Sequence, residues 1–153
     1  MLQAGTISRA ISFVTSGCLR VYSTDESGND HILLFASGGW WCGDLFSFLA
    51  KSPATYSIEA LEDSEVLQIS FENLETLYVQ VPKFERFFRV LFQNGFIMYQ
   101  RRITSELALP AAKKYAKFKK LYPGLEQRIA QKHIASYLGI TPVFLSMLRK
   151  KEL

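Results

Sequence analysis

Between Ile7 and Ser70 the chain alternates short apolar runs with breaks of Gly, Ser, Asn and Asp: AISFVTSG, CLRVYSTDESGND, HILLFASGG and YSIEALEDSEVLQIS. Runs of that length and alternation, bounded by turn formers, predict antiparallel β-strands. In CLRVYSTDESGNDHILLF a polar patch containing Gly28, Asn29 and Asp30 separates two strand-like runs. That pattern predicts a hairpin with a slightly long loop. GDLFSFLAKSPATYS interrupts the β pattern, and DLFSFLA predicts one helical turn that stops at Lys51, Ser52 and Pro53.

At Pro82 the period changes. Phe84, Phe87, Phe88, Leu91, Phe92, Ile97 and Met98 recur at helical spacing in PKFERFFRVLFQNGFIMYQRRITSELAL. One helix of about 24 residues, roughly 36 Å long, accounts for them. Its aromatics fall on more than one face, so it has two surfaces to cover: the β region, and the same helix in a second copy of the chain. The alternative is a helix buried wholly within the monomer. Pro110 then opens PAAKKYAKFKKLYPGL, a lysine-studded amphipathic helix ended at Pro123 and Gly124. Its lysines are either a solvated face or phosphate contacts beside a nucleic-acid-reading unit.

The most specific pattern is QKHIASYLGITPVFLSMLRK, residues 131–150. Two short helices crossing steeply need inward apolar side chains, which Ile134, Leu138, Ile140, Leu145 and Leu148 supply. Ala135 is small enough for the second helix to approach the first, and Gly139 can take the positive φ of a tight turn. Thr141 and Pro142 suit the N-cap and first turn of the second helix. The outward residues Thr141, Pro142, Val143, Ser146, Met147, Arg149 and Lys150 are candidates for contact with base edges and phosphates in the major groove. Gln131 and Lys132, at the start of the first helix, are placed to meet a phosphate. Pro, Val and Met read bases poorly, so specificity would rest on Thr141, Ser146 and the basic pair.

Charge sharpens this division. Residues 1–81 carry 3 Lys+Arg against 10 Asp+Glu, and residues 82–153 carry 15 against 4. The total of +4 therefore hides an acidic half at −7 and a basic half at +11. Clustered cations of that kind point to a polyanionic partner for the second half. The chain has 153 residues, 48% of them hydrophobic, enough for a folded core. Cys18 and Cys42 stand alone, without CxxC spacing, and read as packed thiols of a cytoplasmic protein. No apolar run is long enough to cross a membrane, and no signal-peptide pattern opens the chain. A metal-dependent β-barrel enzyme is excluded on ligand count, since His31 is the only histidine of the β half. No catalytic constellation is present.

An acidic β-rich half with an embedded GDL segment, then a long helix, then a C-terminal helix-turn-helix resembles the CRP/FNR family of transcription regulators. The likeness covers nearly the whole chain. It implies an α+β fold: an antiparallel, jelly-roll-like β-roll over 1–81, a linking and dimerisation helix over 82–107, and a helix-turn-helix domain over 108–153. The family's opening strands are short here, which reads as an N-terminally trimmed roll. A β-wing after the second motif helix, which many members carry, is not expected here.

The resemblance also implies an effector region. In members that bind cyclic AMP, a G-E-L segment holds the ribose and an Arg-Ser or Arg-Thr pair holds the cyclic phosphate. Gly43, Asp44 and Leu45 match the first element with Asp for Glu, while Thr55 matches the hydroxyl of the second. Ala54 stands where the arginine would be. A buried phosphate needs a charge partner, so cyclic AMP is not expected. Another small molecule, an anion at the GDL turn and a vestigial pocket remain open, and Asp44 equally suits the N-cap of the short helix. Two isolated cysteines cannot hold the iron–sulfur cluster of oxygen-sensing members, and neither His31 nor His133 suits a haem or metal. The reading is thus of a non-enzymatic, cofactor-free homodimer that binds double-stranded DNA. A small-molecule effector and RNA polymerase are its further partners. The alternative is a ligand-sensing or protein-interaction module that has lost specific DNA binding.

Overall fold

The computed structural model describes residues 1–151, and these divide into two compact units, Met1–Leu74 and the chain from Glu75 onward. The first unit is built from β1 (Ala10–Ser16), β2 (Cys18–Thr24), β3 (Asp30–Ser37), β4 (Trp41–Cys42), α1 (Leu45–Ala50), β5 (Ser57–Ala60) and β6 (Glu65–Ser70). The strands form two three-stranded antiparallel sheets, ordered β4-β1-β6 and β3-β2-β5. YSIEALEDSEVLQIS thus resolves into two strands that serve different sheets. Before β1, Leu2 bridges to Ile58 and Ile7 to Pro53.

The predicted hairpin is β2–β3. Its loop closes because Asp25 Oδ1 accepts from the N–H groups of Ser27 and Asn29, both at 2.9 Å, and Gly28 takes a φ of +83°. Its strands pair from Cys18↔Ser37 to Thr24↔Asp30 around a bulge at Val21/Tyr22. Gly17 makes the β1–β2 turn at φ +85°, where an added Cβ would lie 2.1 Å from Ser64 Oγ and 2.5 Å from the Asp63 carbonyl oxygen. No larger residue fits there. Val14, Cys18, Leu19, Val21, Phe35 and Phe48 fill the core. The Cys42 thiol is also buried, and desolvation pushes its pKa up to about 12.

A helix not anticipated from the pattern, α2 (Phe71–Gln80), follows β6 directly. Ser70 Oγ accepts from Asn73 N–H at 3.2 Å at its start, and Leu74 is its buried residue. The division between units falls inside α2, earlier than the expected boundary at 81/82.

The second unit continues with α3 (Lys83–Ala108), α4 (Ala111–Leu121), a short 3₁₀ turn (Leu125–Gln127), α5 (Gln131–Leu138) and α6 (Pro142–Lys151). α3 is the predicted long helix, at 26 residues. Tyr115, Phe118, Tyr122, Leu125, Ile134, Ala135, Leu138 and Leu145 make the core of this unit. Phe118 and Tyr122 meet Tyr137 at ring-centroid distances of 5.5 and 5.6 Å. Tyr115 hydroxyl donates to Glu126 Oε2. No helix among the described residues is long and apolar enough to cross a membrane.

Candidate nucleic-acid interface and effector region

Residues 131–150 form the turn and cap expected of them, and bury three of the five expected inward apolar side chains, Ile134, Leu138 and Leu145. Gly139 ends α5 in the left-handed conformation, φ 65° and ψ 33°. Gly139 N–H donates to Ser136 O at 3.2 Å and Ile140 N–H to Ala135 O at 3.0 Å. That pair is the Schellman arrangement, which satisfies two of the orphan carbonyls at the helix end. Thr141 Oγ1 accepts from Phe144 N–H at 3.2 Å, so Thr141 caps α6 and Pro142 occupies its first turn. Ile134, Ala135, Leu138 and Leu145 are buried, while Ile140 and Leu148 are half-buried.

The outward face of α6 carries Thr141, Pro142, Val143, Met147 and Lys150 exposed, with Ser146 and Arg149 half-buried. Val143 and Met147 are 71% and 49% exposed. Phe144, absent from the sequence-derived set, is also exposed there. Gln131 and Lys132 are exposed at the start of α5, where no side chain caps the helix. The positive end of the helix dipole and its first-turn amides thus lie beside Lys132, a geometry suited to a phosphate. On α4 the lysines divide by role. Lys114 pairs with Glu106, Lys117 Nζ donates to Ser105 Oγ at 2.8 Å, and Lys119 lies 4.8 Å from the Tyr115 ring centroid. Lys113 and Lys120 are exposed on the same helix.

The region expected to take an effector is built around Asp44, which is 1% exposed. Its Oδ1 accepts from Ser47 N–H at 3.0 Å as the N-cap of α1, and its Oδ2 accepts from Thr55 N–H at 2.8 Å and Tyr56 N–H at 3.2 Å. A carboxylate offers about four acceptor positions, and three are taken by backbone. Ser47, also buried, accepts from Ser8 N–H at 2.8 Å and donates to Ser52 O at 2.6 Å, so two short polar side chains stitch four chain segments together. Gly43 packs against Ile11, an added Cβ lying 3.0 Å from its Cγ2. Leu45 and Thr55 are exposed.

Ala54 is buried, its N–H donating to Thr6 O and its carbonyl accepting from Gly5 N–H, both at 2.8 Å. The buried cation of this unit is Arg20 instead. It is neutralised by Glu59 at 2.6 Å and Asp30 at 2.8 Å, and its guanidinium lies over the Tyr22 ring at 3.9 Å. These groups do not fit a cyclic phosphate: the Asp44 carboxylate is buried and holds three backbone donors, and the position expected to carry an arginine is Ala54. Among the described residues no cluster of His, Cys, Asp or Glu could hold a metal ion. His31 pairs with Asp25 at 2.8 Å, and chiefly for that reason the Asp25 carboxyl titrates at about 2.

Comparison with known proteins places this architecture. The sequence profile of the cyclic nucleotide-binding domain matches residues 1–80. The chain belongs to that family. Over 97% of its length it is 27% identical to Regulatory protein HlyX of Actinobacillus pleuropneumoniae, of which it spans 65%. FixK2 from Bradyrhizobium japonicum superposes with a TM-score of 0.80 at 17% identity, covering 97% of this chain and 77% of that one. A CooA mutant from Carboxydothermus hydrogenoformans gives 0.76 at 20%, covering 99% and 70%. The fold is thus that of the CRP/FNR regulators, with antiparallel sheets followed by several helices.

Proposed function

We propose that this cyclic nucleotide-binding domain protein is a transcription regulator of the CRP/FNR type, acting in the cytoplasm as a homodimer that reads double-stranded DNA with α6. The carrying observation is the paired-helix unit of residues 131–150. Its Schellman turn, Thr141 cap and buried Leu145 present α6 outward from a basic half. Lys132, Arg149 and Lys150 hold phosphates, while Thr141 and Ser146 meet base edges. The likeness to HlyX supports a regulatory rather than catalytic role.

The dimer is formed through α3. Phe92, Phe96, Tyr99, Ile103 and Leu107 recur at three- and four-residue steps, and Phe96, Ile103 and Leu107 are 66, 60 and 84% exposed. A seam of that spacing suits a second copy of the same helix, which sets the two motifs about one helical turn of DNA apart. The effector of the β unit is not a cyclic nucleotide, because Asp44 and Ala54 offer it neither a free carboxylate nor a cation. Contact with RNA polymerase completes this reading.

Selection from a random duplex pool at low and moderate salt, with sequencing of the bound fraction, tests it. A two-fold enriched motif supports the reading. A second reading, an interaction module without base readout, draws on the exposed Val143 and Met147 and predicts no enrichment and little response to salt.

A further inference from the structure

The last turns of α3 carry a second face, distinct from the apolar seam. Arg102, Ser105 and Glu106, at positions i, i+3 and i+4, lie together on the helix surface. Ser105 and Glu106 hold α4 through Lys117 and Lys114. Arg102 instead reaches α5: its Nη2 donates to Tyr137 O at 2.8 Å, and its guanidinium carbon lies 3.7 Å from the Tyr137 ring centroid. The Schellman turn uses the carbonyls of Ala135 and Ser136. Tyr137 O is the next one along, and Arg102 supplies its donor while placing a cation at the negative end of the α5 dipole. The same planar group stacks on the ring and donates in its own plane, which an ammonium cannot do. Tyr137 is buried against Phe118 and Tyr122, so the grip is on a fixed part of the motif, two residues before its turning Gly139.

We propose that Arg102 is a positioning residue that fixes the angle of the α5–α6 unit relative to the α3 seam, and so selects the spacing between half-sites. The proposal rests on the DNA-reading function above. A dimer gains from its second half-site only when both reading helices meet the groove together. That gain is about 10²- to 10⁴-fold where the geometry permits it, and it vanishes where it does not.

The test uses the full chain with Arg102→Lys, which keeps the charge, and Arg102→Gln, which keeps a donor without the charge. Binding is measured to duplexes carrying one half-site, or two at graded spacings. Wild type should prefer one spacing by about tenfold or more, and both variants should flatten that preference to about threefold or less while binding a single half-site within about twofold of wild type. A retained spacing preference overturns the proposal, as does an equal loss on single and paired half-sites, which would make Arg102 a fold or phosphate contact. A second readout needs no DNA: the distance between spin labels at the exposed positions Gln93 and Val143, with labelled chain diluted in unlabelled chain. One narrow distribution in wild type that broadens or shifts in both variants supports the role of Arg102. An unchanged distribution overturns it. Wild type that binds no duplex while the distances respond would overturn the DNA reading alone.

Discussion

Replacing Asp44 by alanine removes one carboxylate and strands three backbone donors, those of Ser47, Thr55 and Tyr56. Loss of the α1 cap alone costs about 0.5–2 kcal/mol. Each further donor left without an acceptor costs about 1–3 kcal/mol where it is buried, and the low end applies here because Thr55 is exposed and Tyr56 half-buried. The expected total is about 2–4 kcal/mol, which for a unit of this size lowers its melting temperature by roughly 10–25 °C. Asp44→Asn, with one acceptor oxygen left, should lose about half as much. The two tryptophans, Trp40 and Trp41, both lie in the β unit, so urea unfolding followed by tryptophan fluorescence reports that unit alone. A loss under about 1 kcal/mol for Asp44→Ala would refute the reasoning, because the carboxylate would then be no more than an ordinary cap, with capacity to spare for a ligand hydroxyl.

Gly139→Ala should cost about 1 kcal/mol of helical-unit stability, and Gly139→Val about twice that. The added Cβ meets only Glu106 Oε2 at an ordinary 3.8 Å, so the cost is conformational; thermal unfolding followed by circular dichroism at 222 nm checks it. Cys42, with its thiol pushed up to about 12, should resist an aromatic disulfide reagent at pH 8 in the native protein and react once the protein is unfolded in urea. The Asp25 carboxyl should titrate at about 2 by carboxyl NMR, and His31→Ala should move its midpoint up toward the ordinary aspartate value. Because the folded pKa is lowered, the loop stabilisation from this pair is present above the unfolded pKa and is lost as pH falls through about 2.

Where the structure follows the pattern, the residues involved have demands that few other residue types meet. The β2–β3 hairpin rests on Asp25 and Gly28, and the paired-helix unit on Ala135, Gly139, Thr141 and Pro142, each fixed by local conformation. The local pattern does not mark α2, because FENLETLYVQ buries only Leu74 and joins β6 with no Gly or Pro between them; the capping hydroxyl of Ser70 is its one local signature. The second and third donors to Asp44 lie 11 and 12 residues away, and Arg102 reaches a carbonyl 35 residues away. Contacts of that kind are decided by how elements pack, which no local period encodes. Burial of Ser47 likewise has no periodic signature, since a serine in LFSFLA looks like a surface residue until its two backbone partners are known.

The central claim is that α6 and its surroundings hold DNA. Lys132, Arg149 and Lys150 from each of two chains give about six phosphate contacts, so the logarithm of affinity against the logarithm of salt should fall with a slope of about −5. The measurement is fluorescence anisotropy of the full chain on its selected duplex across a range of potassium chloride concentrations. A steep slope that shallows by roughly two, one contact per chain, in Lys132→Ala is the predicted result. A flat slope, or no binding even at the lowest salt, would contradict the account.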